Sequence, residues 1–292
     1  TGFSSGLPLY LLLNLVPAWL KSEGVDIKAI GLMALIQFPY TWKFVWSPLM
    51  DRFTVLPLGR RRGWMLLSQL FLLLAIAGLG LLNPAVTLWS IAALAFGVAF
   101  FSASQDIVLD AFRREILSDE QLGLGTALHV NAYRIAGLVP GALSLILADH
   151  LPWSWVFLIT ALFMLPGVML TLWVKEPDLC RPPKSLREAV VEPFHEFVTR
   201  KGWRYALLIL LFLFLYKLGD SMATALATPF YLDMGYSKSE IGLIAKNAGL
   251  WASVAGGLLG GLWMLQLGIN RALWIFGVVQ VCSILGFVWL SG

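Results

Sequence analysis

Nine long apolar stretches, separated by polar segments, constrain the fold of this chain more than any other feature of its sequence. A helix that crosses a bilayer needs about 20 predominantly apolar residues. We predict such helices near 1–20, 28–48, 64–82, 86–112, 123–149, 152–174, 203–231, 239–266 and 271–292. Only 13% of the residues are charged, whereas soluble domains contain roughly a quarter. The sequence therefore predicts an all-α membrane protein.

The distribution of Lys and Arg predicts how these helices are oriented. Fourteen of these residues lie in alternate connections, and only three lie in the opposite connections. The basic connections are those near 49–63, 113–122, 175–204 and 267–271. Cytoplasmic loops carry the excess of Lys and Arg in membrane proteins. We therefore expect the basic connections to face the cytoplasm.

One connection, 175–202, is too polar and too rich in proline to lie within the membrane. Its apolar residues recur at helical spacing, which predicts an amphipathic helix on the inner membrane surface. They are Leu186, Val190, Phe194 and Phe197, and Pro193 interrupts the series. We predict that this cytoplasmic linker separates an N-terminal half of six helices, 1–174, from three helices at 203–292.

The beginning of the second part repeats the beginning of the first. Pro17-Ala18-Trp19-Leu20 followed by Ile30-Gly31-Leu32 corresponds to Pro229-Phe230-Tyr231-Leu232 followed by Ile241-Gly242-Leu243. Both ends of the chain fall within apolar stretches. We therefore expect a fragment that holds one complete half and the first three helices of a second.

A cationic turn lies between the second and third apolar stretches. It reads Ser47-Pro48-Leu49-Met50-Asp51-Arg52 and then Gly59-Arg60-Arg61-Arg62. This turn resembles the loop between helices 2 and 3 of the major facilitator superfamily. Several stretches, in order along the chain, resemble one branch of that superfamily, the AmpG-type muropeptide permeases. They are Gly2-Phe3-Ser4-Ser5-Gly6-Leu7-Pro8, Lys43-Phe44-Val45-Trp46 with the turn that follows, Ser102-Ala103-Ser104-Gln105-Asp106-Ile107-Val108, Tyr133-Arg134 and Tyr216-Lys217-Leu218-Gly219-Asp220.

This resemblance implies a twelve-helix permease of the bacterial inner membrane, built from two parallel halves. Such permeases import GlcNAc-1,6-anhydromuropeptides from the periplasm for cell-wall recycling, with protons as the expected driving ion. The implied partners are thus an anionic sugar–peptide, protons and the lipid bilayer. The chain lacks the counterparts of helices 10 to 12, so we do not expect it to transport by itself.

Ionisable residues within the apolar stretches are the candidate functional residues, because charge inside a bilayer is costly. Lys217 and Asp220 are three residues apart and share one face of the seventh helix. We expect Asp220 to exchange a proton and Lys217 to bind a substrate carboxylate. A pair that only neutralises itself is the alternative.

The fourth apolar stretch carries two further carboxylates, Asp106 and Asp110, one helical turn apart. Lys43 lies at a similar depth, so it can pair with Asp106. Burial favours a neutral carboxyl group and a nearby Lys favours a charged one, so Asp106 is a second candidate for proton coupling. Asp110 lies near the cytoplasmic end, where we expect a structural ion pair that closes the inward gate. The predicted gating residues are Asp51, Arg52, Gly59, Arg60, Arg61 and Asp110.

Arg134, near the middle of the fifth helix, can bind a substrate carboxylate through two parallel hydrogen bonds. Its alternative role is a structural bond to the acids of the fourth helix. Lys43 and Lys246 are further candidates for attracting the anion, although Lys246 can also extend towards the interface. Tyr40 and Tyr133 are candidates for stacking on a sugar ring, as are several Trp residues that can equally anchor the chain at the interface.

Other chemistry finds no support in the sequence. The three His residues show no metal-ligand spacing, and no Gly-Lys-Ser/Thr loop is present to bind ATP phosphates. We predict no enzyme activity, no cofactor, no metal and no nucleic-acid partner. Two alternatives to muropeptide import remain: a related carrier of another anion such as acetyl-CoA, or a membrane receptor that does not transport.

Overall fold

The computed structural model describes residues 1–176, 185–235 and 247–291, and these residues form helices without β-strands. The helices are α1 (Gly2–Ser22), α2 (Ile27–Leu32), α3 (Phe38–Trp42), α4 (Ser47–Arg52), α5 (Arg60–Leu79), α6 (Leu88–Ile116), α7 (Asp119–Ala148), α8 (Trp153–Trp173), α9 (Leu186–Thr199), α10 (Trp203–Asp233), α11 (Asn247–Leu267) and α12 (Ile269–Ser291). Helices α1 and α7 each contain a π-helical segment, at Leu11–Leu15 and Val139–Leu143. The predicted all-α fold is confirmed.

Seven helices in the described part of the chain are long and apolar enough to cross a membrane. They are α1, α5, α6, α7, α8, α11 and α12. Helix α9 and the first part of α10 provide an eighth candidate if they form a single broken span, and they are bent by 98°. Helix α9 lies within the predicted linker and runs almost perpendicular to the first part of α10, and its position on the inner membrane surface stays a prediction.

The second apolar stretch, 28–48, is not the continuous helix that its composition predicts. It consists of α2, α3 and α4, joined by 3₁₀ segments at Met33–Gln37 and Lys43–Val45. Proline explains both interruptions, because it donates no backbone hydrogen bond and its ring clashes with the carbonyl four residues earlier. For Pro39 and Pro48, those carbonyls belong to Leu35 and Phe44, which lie in the two 3₁₀ segments.

The described chain divides into two compact units, 1–118 with 128–189, and 119–127 with 190–292. The predicted division at 1–174, 175–202 and 203–292 stays a prediction. In the first unit, a core cluster joins α1, α5, α6 and α8. The rings of Trp19 and Phe157, for example, pack edge to face with 4.8 Å between their centres.

Buried hydrogen bonds join helices of the first unit. The hydroxyl of Thr171 on α8 donates to Gln69 Oε1 on α5 over 2.9 Å. Ser144 on α7 and Thr160 on α8 bring their hydroxyl oxygens within 2.7 Å of each other. Lipid tails are as apolar as these side chains, so the hydrophobic effect does not drive helices together within a membrane. Close packing and such polar contacts stabilise their association instead.

Candidate functional site

Arg61 is the centre of an ion-pair network at the N-terminus of α5. Its Nη1 lies 2.6 Å from Asp51 Oδ1 in α4, and its Nη2 lies 2.6 Å from Glu115 Oε1 at the end of α6. Its Nε donates a further bond of 3.0 Å to Glu115. Arg61 is only 5% exposed, so dissolved salt screens its interactions with these carboxylates little. The guanidinium group therefore ties three helix ends together.

Not all six predicted gating residues join this network. Arg60 does: its Nη1 donates to the Asp51 carbonyl over 2.9 Å, and its Nη2 lies 3.6 Å from Glu115. Asp110 instead pairs with Arg113 on its own helix, at 2.8 Å. The guanidinium carbon of Arg52 lies 5.3 Å from the centre of the Phe53 ring. The structure thus brings together Asp51, Arg60 and Arg61, and it gives Asp110 and Arg52 other neighbours.

Gly59 gives the turn its shape. Its φ angle is +108°, a backbone conformation that glycine adopts far more readily than other residues. A Cβ atom at this position would lie 2.5 Å from Glu176 Cδ. The carboxylate of Glu176 accepts hydrogen bonds from the backbone N–H groups of Arg61 and Arg62, at 2.7 and 3.0 Å. A glycine is therefore required here both by the backbone conformation and by the closeness of Glu176.

Sequence reasoning missed Glu115 and Glu176 as members of this network. The available signal was charge balance, because a buried arginine cluster needs carboxylates near it. Glu115 directly follows Arg113-Arg114, and Glu176 lies two residues after the sixth apolar stretch, so both belong to connections predicted to face the cytoplasm.

A second polar site surrounds Asp106 on α6. Lys43 Nζ lies 3.7 Å from Asp106 Oδ2, and the hydroxyl of Ser5 on α1 donates a hydrogen bond to Asp106 Oδ1. The side chains of Lys43 and Asp106 are 33% and 14% exposed. Lys43 and Asp106 are thus placed together, as the sequence allowed. Ser5 belongs to the first stretch that resembles the permeases, but the sequence did not predict its contact with Asp106.

The position of Lys43 follows from the break in the second apolar stretch. Lys43 lies in the 3₁₀ segment between α3 and α4. The next turn is fixed to α6, because the indole N–H of Trp46 donates to Ser104 Oγ over 3.0 Å. The Trp46 ring also packs 4.9 Å from the Phe100 ring of α6. These contacts hold the lysine-bearing segment beside Asp106.

The position of Ser5 follows from two glycines that flank it. Gly2 and Gly6 pack against the backbone of α7, and a Cβ atom on either one would collide with the carbonyl oxygen of His129 or Tyr133. Small residues spaced by four allow helix backbones to approach this closely in membranes. The close approach of α1 to α7 places Ser5 in its buried position.

Further polar groups are buried in the same unit. They include the hydroxyl groups of Tyr40 and Ser102. The Tyr133 ring packs edge-on against Tyr10, with 5.8 Å between ring centres. The predicted stacking of Tyr40 and Tyr133 on a sugar ring stays a prediction.

Arg134 is half-buried on α7. It forms no ion pair within the described part of the chain. Its alternative partners, Asp106 and Asp110 on α6, pair with Lys43 and Arg113. The interpretation of Arg134 as a structural bond to these acids therefore finds no support.

The remaining predicted residues belong to the second unit. Lys217 on α10 is exposed. Lys246 and the side chain of Asp220 lie outside the residues that the structure describes, so their predicted roles stay predictions. This unit also contains an apolar groove of about 500 Å³ between α10 and α12, lined in part by Tyr216, Trp274 and Cys282. Among the predicted site residues whose side chains the structure describes, none lines this groove.

Comparison with known proteins places the chain in a family. Residues 1–292 match the Major Facilitator Superfamily. The chain is 53% identical over 294 residues to an uncharacterised protein of Haemophilus influenzae, covering 100% of this chain and 69% of that protein. It is 45% identical over 293 residues to the anhydromuropeptide permease of Escherichia coli K12, covering 99% of this chain and 59% of that protein.

A more distant relative is similar over the same range. The putative transporter AmpG 4 of Rickettsia felis is 35% identical over 301 residues, which cover 99% of this chain and 72% of that protein. The chain thus spans between about three fifths and three quarters of the length of these relatives. Together with the seven apolar helices of the described residues, the family match confirms the resemblance noted in the sequence. The chain belongs to the Major Facilitator Superfamily and is a multi-pass protein of the bacterial inner membrane.

Proposed function

We propose that this protein is a secondary transporter that imports GlcNAc-1,6-anhydromuropeptides across the inner membrane, driven by protons. The observation that carries the proposal is its 45% identity, over 99% of the chain, to the anhydromuropeptide permease of E. coli. Members of the superfamily are membrane transporters that bind their substrates near the middle of the bilayer. Enzyme activity has no part in this proposal.

The substrate carries carboxylates on its peptide, and cationic side chains would bind them. Arg134 is the best-placed candidate in the first unit, because it is half-buried and forms no ion pair with the other described residues. A guanidinium group can bind a carboxylate through two parallel bonds. Lys43, Lys217 and Lys246 are the further cationic candidates. Tyr40 and Tyr133 would contact the sugar rings.

Proton coupling is proposed for Asp106, with Asp220 as the second candidate. A substrate carboxylate that approaches Lys43 competes with Asp106 for the same ammonium group. Once Lys43 binds the substrate, Asp106 loses its neutralising cation, and its buried carboxylate becomes costly to keep charged. Binding of the anion then favours uptake of a proton by Asp106, which is the reciprocal coupling that a symporter requires.

The Arg61 network is proposed to hold the cytoplasmic end of the first unit in one arrangement. Asp51, Arg60 and Arg61 form it together with Glu115. Arg52, Gly59 and Asp110 complete the proposed gating region, with Gly59 shaping the turn. A transporter that alternates between two states must have contacts of this kind that differ between the states.

The test is uptake of labelled anhydromuropeptide into membrane vesicles that contain the full-length protein. We expect uptake that stops when the pH gradient is collapsed. Excess unlabelled anhydromuropeptide should compete more strongly than the free sugar or the free peptide alone. Uptake that matches empty vesicles would contradict the proposal, and competition by acetyl-CoA instead would identify the related carrier considered above.

A further inference from the structure

In the first unit, the start of one helix and the end of another bind each other through hydrogen bonds, next to the point where the chain leaves its sixth apolar stretch. One end is the N-terminus of α5, which begins at Arg60, and the other is the C-terminus of α8, which ends at Trp173. The first N–H groups and the last C=O groups of a helix lack partners within the helix itself. Each of these two ends receives its missing partners from the other.

Glu176 supplies the partners for α5. The N-cap position of α5 is Gly59, which has no side chain that could bind the free N–H groups. The carboxylate of Glu176 takes this role from outside the helix, with one oxygen 2.7 Å from the nitrogen of Arg61 and the other 3.0 Å from the nitrogen of Arg62. A negative charge at a helix N-terminus also interacts favourably with the helix dipole.

Arg62 supplies the partners for α8. Its Nε donates to the carbonyl of Thr171 over 3.0 Å, and its Nη2 donates to the carbonyl of Leu172 over 2.7 Å. A positive charge at a helix C-terminus interacts favourably with the dipole at that end. Arg62 is therefore engaged with α8, whereas Arg61 is engaged with Asp51 and Glu115.

We infer that Glu176 and Arg62 form a reciprocal clasp between α5 and α8, and that Glu176 is a positioning residue for Arg61. The clasp fixes the backbone of Arg61 by its N–H group, while the side chain of Arg61 reaches its two carboxylates. The first residues after α8 are thereby fixed to the cationic turn. This inference goes beyond the proposed function, and its test needs no substrate.

The test compares the thermal stability of variants of the full-length protein in detergent, as the temperature at which half of the folded protein is lost. Glu176→Gln keeps the size of the side chain but removes its charge and one of its two acceptors. We expect it to lower this temperature by about 3 °C or more. Glu192→Gln is the matched control, because Glu192 is an exposed carboxylate of the same connection, and we expect it to change the temperature by less than about 1 °C.

A double-mutant cycle distinguishes positioning of Arg61 by Glu176 from a stabilising effect of Glu176 that does not involve Arg61. Asp51→Asn weakens the ion pair of Arg61 directly. If Glu176 acts through Arg61, the combined variant loses less than the sum of the two single losses, because contacting residues are not additive. Ser144→Ala provides the control cycle, since it removes a buried bond to Thr160 that shares no residue with the clasp. Glu176→Gln and Ser144→Ala should be additive.

Arg62→Gln provides a second, independent arm. It removes both contacts to the α8 carbonyls and leaves the Glu176 carboxylate in place. We expect a loss of stability similar to that of Glu176→Gln, and a combined loss smaller than the sum. An unchanged melting temperature for both Glu176→Gln and Arg62→Gln would overturn the inference. Additive losses when Glu176→Gln is combined with Asp51→Asn and with Arg62→Gln would overturn it as well.

Discussion

Lys43 Nζ lies 3.7 Å from Asp106 Oδ2, while Ser5 donates a hydrogen bond to the other carboxylate oxygen of the same aspartate. One carboxylate thus joins three separate segments: α1, the 3₁₀ turn between α3 and α4, and α6. The aspartate is 14% exposed and the lysine 33% exposed. Of the two, the lysine is therefore the more accessible to an approaching anion.

The first prediction concerns the proton. In vesicles with the full-length protein, Asp106→Asn is expected to make any remaining uptake of anhydromuropeptide insensitive to a collapsed pH gradient, because an amide cannot bind the transported proton. Asp149→Asn is the control, since Asp149 is exposed near the end of α7, and its uptake should keep the normal response. An Asp106→Asn variant whose uptake still falls when the gradient is removed would exclude Asp106 and leave Asp220 as the candidate.

The second prediction concerns Ser5. Ser5→Ala is expected to lower the initial rate of uptake about tenfold or more, because a hydrogen bond to a charged group contributes about 1.5–3 kcal/mol. Ser22→Ala is the control, since the Ser22 hydroxyl bonds the Trp19 carbonyl of its own helix and no other group among the described residues. Initial rates should be normalised to the amount of folded protein. Equal rates for the two alanine variants would mean that Ser5 does not act on Asp106.

The third prediction concerns the contact of α1 with α7. Gly6→Ala would place a methyl group against the Tyr133 carbonyl, so we expect a loss of about 1–3 kcal/mol in the free energy of unfolding. The control is Gly31→Ala, because a Cβ atom at Gly31 would meet no atom within 4 Å. Reversible unfolding in mixed micelles measures both changes. A neutral Gly6→Ala would show that the two helices can separate without cost.

The fourth prediction concerns Arg61. Arg61→Gln leaves Asp51 and Glu115 without their shared cation, and breaking one member of a buried ion pair costs about 3–5 kcal/mol. Arg61→Lys should restore only a small part of this loss, because an ammonium group cannot reproduce the bonds that Arg61 makes from Nη1 to Asp51 and from Nε and Nη2 to Glu115.

The control for this prediction is Arg200→Gln. Arg200 and Glu196 form an exposed ion pair at 2.7 Å with side chains 69% and 57% exposed, and exposed pairs contribute about 0–1 kcal/mol. The same unfolding measurement applies to all three variants. Similar losses for Arg61→Gln and Arg200→Gln would mean that the buried network does not stabilise the cytoplasmic end of the first unit.

The sequence by itself determined the class of protein, because this depends on properties that are local along the chain. The length and apolar content of the stretches predicted membrane helices, and the cationic turn from Ser47 to Arg62 identified the superfamily. The similar depth of Lys43 and Asp106 could be counted from helix ends, since the rise per residue of a helix is constant.

The tertiary structure alone decided which charged groups meet. Asp110 and Glu115 lie five residues apart on one helix, yet only Glu115 reaches Arg61. Glu176 caps a helix that begins far away in sequence. Partner choice of this kind depends on how close two helices approach and which faces they turn to each other, and those quantities follow from the packing of the whole bundle rather than from any local pattern.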